Sequence, residues 1–175
     1  MPLILFVGAI ADNFIIVLLT DKWAESINYL VLLTIYSSLF VPQMVFINVL
    51  KANDDKLFFR SEYISKIIRL TLLIVAVPFG ISAIIISQIV QVFIVNFISG
   101  YLLNKFLKEY TITNQIRDYG MPLFSSLLIA GLVYGLGVIL PFGHLIELII
   151  QCLLFAILFF AFLKLNKINV LKLIK

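Results

Sequence analysis

The sequence predicts an all-α membrane protein with about six transmembrane helices, and its composition is the first observation that predicts it. Hydrophobic residues make up 63% of the 175 residues, whereas charged residues make up only 13%. A water-soluble domain is about half apolar and about a quarter charged, so this chain cannot cover a water-facing surface. The net charge of +4 does not indicate nucleic-acid binding, because the cations fall at the predicted membrane edges.

The longest stretch without a charged residue, residues 70–104, is the second observation. As one helix it would be about 52 Å long, whereas the hydrocarbon core of a bilayer is about 30 Å thick. The triplet Pro78-Phe79-Gly80 interrupts the stretch, and the same triplet recurs at residues 141–143. Because proline lacks an amide donor and glycine adopts the angles of tight turns, we expect both triplets at the tips of helical hairpins.

The distribution of lysine and arginine orients the spans. The predicted spans cover residues 2–20, 27–50, 60–77, 81–103, 120–140 and 145–163, with a basic tail at 164–175. All 13 cations except Lys22 are assigned to one side. They lie between the second and third spans, counting through the start of the third helix, between the fourth and fifth spans, or after the last span. The positive-inside rule therefore places both termini in the cytoplasm and the two triplets outside. The tail is expected either to lie on anionic headgroups or to fray.

Asp12 and Asn13 fall in the middle of the first span. A carboxylate at that depth is costly and usually faces protein or a watery cavity. It therefore indicates either a cavity that serves a substrate, ion or proton, or a protonated or paired structural group.

Arg69 and Lys66 lie within the third span, because the residues from Leu70 to the tip at Pro78 are too few to cross a bilayer. Nine residues of helix are about 13 Å, which places Arg69 near mid-depth. An inward-facing arginine suits an anionic substrate such as a lipid pyrophosphate, whereas snorkelling to the inner interface is the structural alternative.

Amide side chains recur in two further spans. Gln88 and Gln91 belong to a polar stripe of the fourth span, which also holds Asn96 and Ser99, and Gln43 follows Pro42 in the second. The stripe indicates either hydrogen bonds between helices or a substrate path, and a proline kink is common in transporters.

The sixth span begins near His144, and Glu147 follows one turn later. Nothing else in the sequence gathers around them, so neither an enzyme nor a metal or cofactor site is expected. Gly131 and Gly135 have the spacing of a close helix contact, although this motif is weak by itself.

Two segments resemble the C-terminal part of bacterial polysaccharide flippases, which export lipopolysaccharide or O-antigen units and belong to the multidrug/oligosaccharidyl-lipid/polysaccharide exporter superfamily. The segments are IIVLLTDKWAESINYLVLLTIYS (15–37) and VLKANDDKLFFRSEYISKIIRLTLLIVAVPFGI (49–81). Lys22 and Trp23 match a Gly-x-Lys-Trp-like element of the family. Thr20 stands where the family commonly has glycine, and the turn at residues 52–56 lacks the usual glycine.

The resemblance implies a protein of the bacterial inner membrane that flips an undecaprenyl-pyrophosphate-linked sugar unit between leaflets. Family members have twelve to fourteen spans in two bundles, so this chain resembles the last bundle of a truncated or half-size flippase. Its partners would be membrane lipids and either the missing N-terminal bundle or a second copy. The alternatives are a small membrane enzyme, and an accessory or assembly subunit of polysaccharide biosynthesis without transport of its own.

Overall fold

The computed structural model describes residues 1–106, 112–139 and 143–165, and this part of the chain is helical apart from short turns. Two 3₁₀ turns, Asp21–Trp23 and Val77–Phe79, join longer helices. The α-helices are α1 (Pro2–Ala9), α2 (Ala11–Leu19), α3 (Ser26–Asn53), α4 (Asp55–Ala76), α5 (Ile81–Phe106), α6 (Ile112–Ile139) and α7 (His144–Leu165). The predicted all-α fold is confirmed for these residues.

Several of these helices are long and apolar enough to cross a membrane. Within the described ranges they are Ser26–Asn53, Ile81–Leu102, Tyr119–Gly137 and His144–Phe162, and the bent pair α1–α2 makes a fifth if it is one span. The prediction of a multi-pass membrane protein is therefore supported. The predicted span 60–77 is not among them, because Arg60, Glu62, Lys66 and Arg69 make α4 more polar than the other helices.

The segment predicted as the first span consists of two helices joined by a bend. The axes of α1 and α2 differ by 67°, and Ile10 lies at the break. Gly8 weakens the last turn of α1, since glycine is a poor helix former. Asn13, in the first turn of α2, is buried by contacts with α7.

The helices form two compact units. The first consists of Leu32–Leu123 together with Met1. Its central feature is a hairpin of α4 and α5, which pack along each other. Asp54 caps α4, because its carboxylate accepts from the backbone N–H groups of Lys56 (2.9 Å) and Leu57 (3.1 Å).

The tip of this hairpin confirms the predicted role of the first Pro-Phe-Gly triplet. The turn Val77–Phe79 ends at Gly80, whose φ of 91° is a conformation that side chains with a Cβ rarely adopt. Pro141 and Phe142 of the second triplet, and most of the predicted basic tail (166–175), lie outside the described residues.

The second unit consists of Pro2–Val31 and the chain from Phe124 onward. Its apolar core joins α1, α6 and α7, and the rings of Phe6 and Phe155 stack with centroids 4.0 Å apart. The other buried members of this core are Ile10, Ile129 and Val133. The core lies beside the break between α1 and α2, so it holds the first turn of α2 against α7.

Candidate functional site

The first candidate site is the exposed cationic face of α4. Lys66 and Arg69 are three residues apart, so they lie on neighbouring positions of the helix surface. The Lys66 ammonium is 3.5 Å from the Glu62 carboxylate, and the lysine side chain is 75% exposed. Arg69 is also exposed, and it forms no ion pair with any residue that the structure describes. Arg69 is therefore the cation of this face that remains available to an anion.

Buried amides form the second notable feature of the first unit. Gln91 is fully buried, and neither its nitrogen nor its oxygen has a hydrogen-bond partner among the described residues. The Oε1 of Gln43 and the Oδ1 of Asn96 are buried without a partner in the same sense. Most buried polar atoms in proteins are hydrogen-bonded, so these amides are exceptions that require a reason. Gln88, the remaining predicted site residue of α5, is half-buried.

One of these amides joins α5 to α3 beside the proline of α3. The Nδ2 of Asn96 donates to the carbonyl of Leu39 at 3.0 Å, three residues before Pro42. The contact lies in the turn that precedes Pro42, which supplies no N–H donor to its helix. A mainly apolar cavity of about 300 Å³ adjoins the contact, with walls that include Phe46, Phe93 and Asn96.

The second candidate site is a hydrogen-bonded chain of side chains in the second unit. The ring nitrogen Nδ1 of His144 is 2.8 Å from the Oδ1 of Asn13, and the Nδ2 of Asn13 donates to the Oε1 of Gln151 at 3.1 Å. Because the amide nitrogen of Asn13 can only donate, its oxygen accepts from the imidazole. Both the nitrogen and the oxygen of the Asn13 side-chain amide therefore have hydrogen-bond partners, although the residue is buried.

A cavity of about 170 Å³ opens beside this chain. It lies at the break between α1 and α2, and the other walls come from α6 and α7. Two acidic residues, Asp12 and Glu147, line it together with Tyr134 and the three hydrogen-bonded residues. A polar cavity has thus formed where the predicted first span is interrupted.

The expectation that nothing gathers around His144 and Glu147 is wrong. Asn13 and Asp12 arrive from α2, and Gln151 follows on α7. One signal for this site is present in the sequence, because His144, Glu147 and Gln151 have the i, i+3 and i+7 spacing of one helix face. The contribution of α2 comes from residues more than a hundred positions away, and no local pattern could have revealed it.

Close packing of α6 against α7 occurs at Gly137 rather than at the predicted pair. A Cβ placed on Gly137 would collide with the side-chain amide of Gln151. No described atom lies within contact distance of a Cβ placed on Gly131 or Gly135. Gly137 therefore leaves the room in which Gln151 accepts from Asn13.

The predicted site residues fall into separate groups within their own units. Asp12 and Asn13 belong to the polar cavity of the second unit. In the first unit, Gln43 and Gln91 are buried amides, whereas Lys66 and Arg69 are on the surface of α4. No model of a known protein family, no characterised protein and no solved structure matches this chain.

Proposed function

We propose that this chain flips a lipid-linked oligosaccharide or polysaccharide repeat unit across the bacterial inner membrane, as the C-terminal part of a flippase or as a half-size form. In this proposal Arg69 and Lys66 meet the pyrophosphate of the lipid carrier. The observation that carries it is the hairpin of α4 and α5, because it bears on the depth of Arg69.

The depth follows from the shortness of the turn. Ile81–Leu102 of α5 is long and apolar enough to cross a membrane. α4 is joined to it by the turn Val77–Phe79 and packs along it, so the two helices occupy the same depth. Arg69 precedes Val77 by eight residues, which is about 12 Å of helix. With the turn at the membrane surface, the backbone of Arg69 lies near the middle of a hydrocarbon core about 30 Å thick.

An exposed arginine at this depth needs an anionic partner or a watery cavity, since a charged group facing lipid costs a few kcal/mol. Lys66 already has Glu62 beside it, which leaves Arg69 as the stronger candidate for contact with a substrate. The guanidinium fork binds phosphate oxygens in two parallel hydrogen bonds. The proposal accordingly adds α4 as a sixth span whose cationic face lines the substrate path.

The remaining predicted residues complete the proposal. Gln43, Gln88 and Gln91 would bind sugar hydroxyls, because an amide supplies both a donor and an acceptor. Asp12 and Asn13 would meet sugar or a coupling ion at the break between α1 and α2. Broken helices of this kind occur at the substrate and ion sites of alternating-access transporters. The identity of the substrate rests on the resemblance described above.

The experiment is a glycan-export assay with the full-length protein at its native level in the cell. Arg69→Ala should abolish export, whereas Arg69→Lys should retain a part of it, because lysine keeps the charge but loses the fork. Lys56→Ala is the matched control, since Lys56 is an exposed cation in the first turn of the same helix. Wild-type export by Arg69→Ala at equal protein level would overturn the proposal and favour an accessory subunit.

A further inference from the structure

The cavity of the second unit is lined by more acidic than basic residues, although it lies in an apolar part of the chain. Asp12 and Glu147 line it, and His144 is the one basic side chain among the described residues of its wall. None of those wall residues is a lysine or an arginine. Two carboxylates repel a phosphate or a carboxylate ligand and attract a cation. The charge pattern is therefore opposite to that of the cationic face of α4.

The arrangement does not suit a directly coordinated metal ion. Within the described ranges, no group of three or more His, Cys, Asp or Glu is placed to hold one. The space, about 170 Å³, is also much larger than a bare ion requires. It remains smaller than the roughly 300–1,000 Å³ of pockets that take drug-sized molecules. A small organic group that carries a diffuse positive charge fits both limits.

The walls of the cavity also contain an aromatic residue and apolar residues. Tyr134 lines the same space, and the face of an aromatic ring attracts ammonium groups. Ala9, Ile10 and Gly137 complete the wall on the α1 and α6 sides. Carboxylate, aromatic ring and apolar surface together are the chemistry by which proteins recognise alkylammonium ions.

The wall is also held in place before a ligand arrives. The bonds from His144 to Asn13 and from Asn13 to Gln151 fix three polar side chains of the wall relative to one another. A preformed site binds more tightly because fewer side chains lose freedom on binding. We propose that this cavity binds the ammonium group of a small amine, with Asp12 and Glu147 as its counter-charges.

Equilibrium binding to the purified full chain in detergent micelles tests this inference separately from export. The probes are choline, ethanolamine and the neutral alcohol in which carbon replaces the quaternary nitrogen of choline. We expect at least one amine to bind and the neutral alcohol not to bind. Tighter binding of choline would indicate that the ligand carries a quaternary ammonium group. Tighter binding of ethanolamine would indicate a primary ammonium group.

Substitutions of the two acidic wall residues test whether the amine binds in this cavity. Asp12→Asn and Glu147→Gln should each weaken amine binding by about tenfold or more, as expected when one side of a charge-assisted contact is lost. Asp12 is exposed and the change is isosteric, so the fold should persist. Glu25→Gln, an exposed carboxylate outside the cavity, is the control and should leave the affinity unchanged.

Three results would overturn the inference. The first is that the neutral alcohol binds as tightly as choline, and the second is that neither amine binds. The third is that both carboxylate variants bind the amine with unchanged affinity. Wild-type export by Arg69→Ala, with amine binding intact, would instead count against the proposed function alone.

Discussion

The two units differ in whether their buried amide side chains have hydrogen-bond partners. In the second unit, the buried Asn13 and Gln151 are joined by a hydrogen bond, and Asn13 also accepts from His144. In the first unit, Gln91 is buried as completely, yet both of its polar atoms lack partners among the described residues. A satisfied amide stabilises the fold, whereas an unsatisfied one costs about 1–3 kcal/mol. The same residue types therefore contribute to stability with opposite sign in the two units.

This difference separates a preformed site from an incomplete one. The second unit fixes its polar wall by internal bonds, so it is ready for a ligand. In the first unit, both polar atoms of Gln91, the Oε1 of Gln43 and the Oδ1 of Asn96 lack partners among the described residues. In the proposed function those partners are substrate hydroxyls, and amides without internal partners lose nothing when they bind them.

The largest expected effect comes from removing the central residue of the satisfied network. Asn13→Leu deletes two hydrogen bonds and leaves a buried acceptor on Gln151 without its donor. We expect the free energy of unfolding to fall by about 2 kcal/mol, near the upper range for side-chain hydrogen bonds between membrane helices. The measurement is reversible unfolding of the full chain in mixed micelles. Asn28→Leu, at an exposed position of the same unit, should change it little. Equal effects of the two changes would remove the distinction between the units.

A smaller effect should follow from filling the space beside Gln151. Gly137→Ala places a methyl group against an amide that is buried and already bonded to Asn13. Overpacking of this kind should cost about 1.5 kcal/mol. The matched control is Gly135→Ala, since nothing described lies near its Cβ position. Alanine is the better helix former by about 1 kcal/mol, so the control should be neutral or stabilising. Stabilisation by both variants would show that Gln151 moves aside freely.

The third prediction has the opposite sign. Gln91→Leu replaces an amide whose polar atoms lack partners with an apolar side chain of similar size. Stability in the same micelles should rise by about 1 kcal/mol, because no hydrogen bond is lost and the burial of unpaired groups is relieved. Gln88→Leu, at the half-buried position three residues earlier, should change stability by less than about 0.5 kcal/mol. Destabilisation by Gln91→Leu would mean that the amide has partners in solution, such as ordered water.

Much of the fold was predictable because it depends on composition and local signals. Long apolar runs required helices, and the Pro78-Phe79-Gly80 triplet marked the hairpin tip through the properties of proline and glycine. The continuous helix through Lys66 and Arg69 followed from the distance between those cations and the tip. Hydropathy identifies four or five spans among the described residues rather than the predicted six, because α4 carries too many charges.

Composition and local patterns were sufficient to predict the helical membrane class, the first hairpin and the charged residues within apolar segments. Only the tertiary structure revealed the break at Ile10, the chain from His144 to Gln151 and the close approach at Gly137. Helix formation depends on neighbours within about one turn, which the sequence displays directly. The polar cavity depends on contacts between α2 and α7, whose partners are separated by 131 and 138 positions. Such pairings are decided by how helix faces pack together, and that information is not local in the chain.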